Sequence, residues 1–196
     1  MQKIETIWRE LLFEALEKKN RQFTQKKLAE KFHFSLSTVF QALKIPRKMG
    51  AVRVTGRFFV LEDPEKLLYH WASARNLRKD LIYQTRVDLP VLEIEGQMPA
   101  GVVFGAFSAF RQRFQMVPAD YDKVYVYTNN LAEIKKRFPQ NGGPANLFVL
   151  ASDEFLFSYG YFTSLGQTFV DLWNLKEWYA KEFINALREK INGLLQ

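Results

Sequence analysis

The sequence of 196 residues contains no cysteine and only two histidines, His33 and His70. Without thiols there are no disulfides and no thiolate metal sites, and two imidazoles so far apart argue against a zinc site. No apolar run approaches the roughly 20 residues that a membrane-spanning helix needs. The opening Met1-Gln2-Lys3-Ile4-Glu5 leads straight into an amphipathic pattern rather than a signal-peptide core, so the expectation is a cytoplasmic protein with no membrane partner. No Ser/His/Asp or Cys/His set and no phosphate-binding P-loop spacing is found. What the chain does have is enough apolar material for a core, 47% with 18 Phe, and a length that suits one large domain or two small ones.

Acidic residues are scarce in one part only. Residues 1–62 carry 13 Lys/Arg against 6 Asp/Glu, whereas residues 63–196 carry 15 of each, so the formal net charge of +7 sits in the first third. Between residues 19 and 57 ten basic residues face a single acid, Glu30. A basic segment joined to a neutral one points to a polyanionic partner for the first, the bland alternative being an incidental surface asymmetry.

Within that basic segment, Ile4, Ile7, Trp8, Leu11, Leu12, Ala15 and Leu16 recur at helical spacing and predict a helix over 3–19. Thr24 suits the N-cap of a short second helix ending near Phe32, and Phe23 can staple onto Leu28. His33-Phe34 form a turn. Ser35 caps a third helix from Leu36 to about Ile45, with Val39, Phe40 and Leu43 expected to face inward. Pro46 marks a kink or stop, and Gly50 fits the position just past the helix end. Val52 to Leu61 predicts two strands around a turn at Thr55-Gly56.

From Thr24 to Arg57 this order resembles the winged helix-turn-helix family, with Lys27-Leu28-Ala29 before the turn and Ser37-Thr38-Val39 in the third helix. The resemblance implies a third helix in the major groove of double-stranded DNA and a hairpin on its backbone. Ser35, Ser37, Thr38, Gln41 and Lys44 would project from the exposed side of that helix toward bases. Lys26, Lys27, Arg47, Lys48, Arg53 and Arg57 would meet phosphates. Winged helices also serve as protein-interaction modules, an alternative that has no need of the charge imbalance.

Residues 63–196 are expected to form a second domain. Asp63-Pro64-Glu65 starts a helix running to about Lys79. Strands are predicted at 82–87, 101–104, 121–127 and 145–150, and helices at 107–114, 131–138, 167–173 and 175–195. Residues 89–96 and 155–164 stay ambiguous. The arrangement strand, Gly105-Ala106, helix, Asp120-Tyr121-Asp122, strand resembles the nucleotidyltransferase fold, whose active members use two such acids to hold magnesium and a nucleotide's triphosphate. Here Ala106 lacks a hydroxyl, Lys123 stands where an apolar residue is usual, and the only near candidate for a third acid is Asp153. The domain is therefore read as non-catalytic and without cofactor or metal. The alternatives are an active nucleotidyltransferase using Asp120 and Asp122 with magnesium, or two acids that only cap a strand.

Gly166-Gln167-Thr168-Phe169-Val170-Asp171-Leu172, with the long helix after it, looks like the carboxy-terminal domain of type IV abortive-infection (AbiEi-like) antitoxins. That resemblance implies a winged helix joined to a nucleotidyltransferase-like domain that has lost catalysis. It further implies an autoregulating repressor that counters a cognate toxin, with another protein partner or a homodimer left open. Asp171 is expected to be an internal acid held by hydrogen bonds, and Trp173, Trp178, Tyr179 and Phe183 to form core or interface. The fold class is thus mixed α+β: a winged helix-turn-helix over 1–62, then an α/β nucleotidyltransferase-like domain over 63–196 with carboxy-terminal helices.

Overall fold

Helix α1 (Lys3–Glu17) forms on the apolar stripe that the spacing predicts, and Ile7, Trp8, Leu11, Leu12, Ala15 and Leu16 are all buried. Its first turn is closed by a capping box in which the Gln2 N–H donates to Glu5 Oε2 at 2.7 Å. The computed structural model describes residues 1–195 and shows a mixed α and β chain with two sheets. Its contacts group into two units, one of residues 1–75, 164–166 and 189–195, the other of residues 76–163 and 167–188.

In the first unit, β1 (Gln22–Phe23) precedes α2 (Gln25–Phe32), whose start is set by the Lys27 N–H donating to Thr24 Oγ1 at 3.2 Å. His33 ends α2 in the left-handed region at φ 51°. Helix α3 (Leu36–Lys48) begins at Ser35, which accepts the Thr38 N–H at 3.1 Å. It continues through Pro46 to Lys48, beyond the expected end near Ile45. Pro46 has no N–H for the Ala42 carbonyl four residues back. That carbonyl instead accepts the indole N–H of Trp8 at 2.7 Å.

The helix then stops in a paired 6→1 and 5→2 arrangement. Ala51 N–H donates to the Pro46 carbonyl at 2.9 Å and Gly50 N–H to that of Arg47 at 3.1 Å, with Gly50 at φ 75°. Only a residue without a Cβ adopts that φ at no steric cost. β2 (Val52–Val54) and β3 (Phe59–Leu61) follow as an antiparallel hairpin, and the Thr55 N–H donates to the Phe58 carbonyl at 2.8 Å across its loop. β1, which no sequence pattern announces, adds to β3, giving the order β1-β3-β2 and stacking Phe23 on Phe59 at 5.5 Å. Helix α4 (Pro64–Ala74) starts where Asp63 accepts the Lys66 N–H at 3.0 Å. It ends earlier than expected, because Arg75 turns extended and Leu77–Asp80 form a separate 3-10 turn.

One expectation for α3 fails. Phe40 is 44% exposed, while Val39, Ala42, Leu43 and Pro46 are the buried side. Those four follow the i, i+3, i+4, i+7 stripe of a single helical face, and Phe40 stands one step outside it.

The second unit is built on the sheet β4-β7-β6-β5, of β4 (Leu81–Thr85), β5 (Val103–Gly105), β6 (Val124–Thr128) and β7 (Leu147–Ala151). β6 and β7 are parallel, and the two outer pairs are antiparallel. Helices α5 (Val91–Gly96) and α7 (Leu131–Arg137) supply Ile94 and Ile134 to an apolar cluster with Tyr83, Val124, Val126 and Val149. Alternation along β6 sends Tyr125 and Tyr127 to the opposite face. There α6 (Ala106–Phe114) contributes Phe107, whose ring lies 4.9 Å from that of Tyr179 and 5.0 Å from that of Phe183.

The chain continues into α8 (Leu165–Trp173) and α9 (Ala180–Leu195). The long final helix thus begins at Ala180 instead of Leu175, and Trp178, 77% exposed, belongs to the connection before it. Residues 89–96 resolve into α5. The 155–164 stretch holds a 3-10 turn at Leu156–Tyr159 and a single bridge between Phe104 and Phe162. Asp171 is a buried acid, as expected: the Tyr127 hydroxyl donates to both of its oxygens, at 2.8 and 2.9 Å. Gly105 is needed beside them, since a Cβ there would stand 3.0 Å from the Tyr127 ring and 3.4 Å from Asp171 Oδ2.

Candidate nucleic-acid interface

The eleven residues expected to meet DNA all fall in the first unit, on α2, α3 and the hairpin. Ser37, Gln41, Lys44 and Lys48 recur at helical spacing on the exposed side of α3. Ser35 and Thr38 are already engaged with each other. Ser35 caps the helix and its hydroxyl lies 2.9 Å from that of Thr38, which is half-buried. One hydroxyl proton of the pair is left over, Ser35 is exposed, and Ser37, Gln41 and Lys44 are exposed along the same helix.

The basic residues divide by what their charges face. Lys26 lies 3.8 Å from Glu30, one turn along α2, and Arg53 Nε donates to Glu62 Oε1 at 2.6 Å. Lys27, Lys44, Arg47, Lys48 and Arg57 are exposed and, among the described residues, pair with no carboxylate. Phe40, Lys44, Arg47 and Lys48 line a shallow concavity of about 330 Å³. Leu36, 57% exposed, stands one turn before Phe40 on the same ridge. Both were missed as site residues. The signal was present, because the stripe 39/42/43/46 leaves no inward place for either.

The second unit has a groove of about 600 Å³ lined in part by Leu77, Arg78, Lys123, Tyr125, Phe148 and Glu177. The rings of Tyr125 and Phe148, cross-strand neighbours, stack at 4.7 Å. Lys123 donates to the buried carboxylate of Glu177. Burial, reinforced by that carboxylate, pushes the Tyr125 hydroxyl up from its ordinary value, so it stays a neutral phenol.

Asp120 and Asp122 do not lie on a strand. β6 begins at Val124, and both acids belong to the segment before it. Asp122 accepts the Tyr179 hydroxyl, and Asp120 is exposed. Among the described residues no three His, Asp or Glu side chains group as a metal site would require, and no helix is long and apolar enough to cross a membrane. Comparison with protein-family models, with curated proteins and with solved structures gives no match to this chain.

Proposed function

We propose that this chain is a sequence-selective double-stranded DNA-binding protein of the winged helix-turn-helix type, acting as a cytoplasmic transcriptional regulator. The observation that carries the reading is the exposed side of α3. Ser37, Gln41 and Lys44 stand outward, with Arg47 and Lys48 on the same helix and Arg57 in the hairpin loop, and these charges meet no carboxylate among the described residues. Glutamine can pair bidentately with adenine, and free cations release counterions when they meet phosphates. Duplex DNA answers both features of this face, its polar side chains through base edges and its unpaired cations through phosphates.

The second unit is read as nucleotidyltransferase-like and non-catalytic. The order β5, Gly105-Ala106, α6, β6 supports the likeness. The acids off the strand, one of them held by Tyr179, support the loss of chemistry. The resemblance to abortive-infection antitoxins extends the proposal to an autoregulating repressor whose second unit meets a toxin, another protein or a second copy. The test is an electrophoretic shift with the full chain against its own upstream region and against random duplex of equal length. Preference for the upstream duplex supports the reading, and equal or no binding overturns it.

A further inference from the structure

We infer that α3 reads thymine through its C5-methyl groups, with Phe40 and Leu36 as the contacting side chains; this rests on the DNA-binding reading above. Leu36 and Phe40 are 57% and 44% exposed, whereas α3 gives Val39, Ala42, Leu43 and Pro46 to the core of the unit. Four residues apart, they form one ridge of α3, and Lys44 continues it. The Phe40 ring thus shares its concavity with Lys44, Arg47 and Lys48.

That pairing of an apolar ridge with unneutralised cations limits what can cover it. A cationic or neutral partner would leave the three charges unanswered. A partner that is anionic and wholly polar would leave the Phe40 and Leu36 surfaces without apolar contact. The major groove of B-DNA supplies both requirements. It is bordered by phosphates and displays one apolar group at its base edges, the methyl of thymine. An RNA duplex offers no such methyl, and its major groove is too narrow to admit side chains. Gln41, beside Phe40 in sequence, suits adenine. The preferred site therefore carries an A·T-rich step under the first two turns of α3.

The test starts from duplexes selected out of a random pool by the full chain. Thymine at each selected position is then replaced by deoxyuridine, which keeps every hydrogen-bonding group and removes only the methyl. At one or two positions the replacement should weaken binding about fourfold, the factor expected for withdrawing one carbon group of that size from burial. Phe40→Ala should abolish the penalty at one position and Leu36→Ala at its neighbour. Both side chains are exposed, so thermal unfolding of the variants, measured alongside, should be unchanged. Thymine and deoxyuridine duplexes binding alike, while selected still outcompetes random duplex, overturns the methyl contact and leaves the DNA reading standing. No preference for any selected duplex overturns both. Phe40→Ala shifting the sedimentation of the free protein, with the uridine penalties intact, assigns the ridge to a second copy and also overturns the inference.

Discussion

The indole N–H of Trp8 on α1 donates to the carbonyl of Ala42 on α3 at 2.7 Å, taking the place of the N–H that Pro46 does not have. One buried hydrogen bond thus repairs a helix and joins it to its neighbour. Trp8→Phe should cost about 1–3 kcal/mol through the orphaned carbonyl, beyond the loss of ring area. In a Pro46→Ala background, where the helix supplies its own donor, the cost of Trp8→Phe should shrink. A urea-denaturation double-mutant cycle measures the difference, and equal costs in the two backgrounds would show that the bond does not compensate for the proline.

Binding to duplex should depend steeply on salt, and unequally among the basic residues. With about five phosphates neutralised, log K should fall against log salt with a slope near −4 to −5. Removing Lys44, Arg47, Lys48 or Arg57 singly should flatten that slope by about 0.9. Lys26→Ala and Arg53→Ala should do less, since Glu30 and Glu62 already face those charges. Titration from low to physiological ionic strength decides this, and equal effects from paired and unpaired cations would contradict it.

Gln41 and Arg57 should fail in different ways. Gln41→Ala should cost about 1–3 kcal/mol on the preferred duplex and little on random DNA. Arg57→Ala, in the loop between β2 and β3, should weaken both alike. Four titrations suffice, and the reverse pattern would mean that helix and hairpin have exchanged roles.

His70 on α4 packs edge-on against Trp8, ring centroids 4.8 Å apart, and burial lowers its pKa below the ordinary 6.5. The unfolded chain therefore binds the proton more readily than the folded one. This contribution to stability is whole above the ordinary value and is lost as pH falls from there toward the folded value. The urea midpoint of the wild type should drop more between pH 7 and 5 than that of His70→Gln. Parallel pH profiles would remove His70 as a source.

In the second unit, Gly105→Ala should push the Tyr127 ring off its two hydrogen bonds to Asp171, at about 1–3 kcal/mol. Tyr127→Phe gives up the same two bonds but keeps the ring carbon that the new Cβ meets, so the double variant should cost less than the sum of the two single ones. Denaturation of both single variants and the double variant checks the coupling.

The local signals in the sequence were the legible ones. Thr24, Ser35 and Asp63 cap the helices they were expected to cap, and Gly50 ends α3 at positive φ, because caps depend on a few adjacent residues. β1 was illegible, since two residues carry no periodicity and its partner lies far along the chain. The continuation of α3 past Pro46 depended on a donor from α1. Phe40 was misplaced because apolar character marks a residue for burial without saying against what. Asp122 fell inside the strand expected over 121–127 because Tyr121 continues the spacing of Tyr125 and Tyr127, whereas ladder pairing begins only at Val124.

The first unit draws on residues 164–166 and 189–195 as well as on the first 75. Gly166 lies against Leu12, close enough that a Cβ would stand 3.0 Å from it, and the Leu165 N–H donates to Glu17 at 2.8 Å. Arg21 reaches the Leu195 carbonyl at 3.5 Å. On the ribosome, chains fold from the amino terminus as they emerge. Here the basic unit, whose first 75 residues are made before the second unit, has to wait for residues 189–195 before its packing is complete. A prematurely terminated chain would thus carry the positive surface without the contacts that residues 164–166 and 189–195 add beneath it.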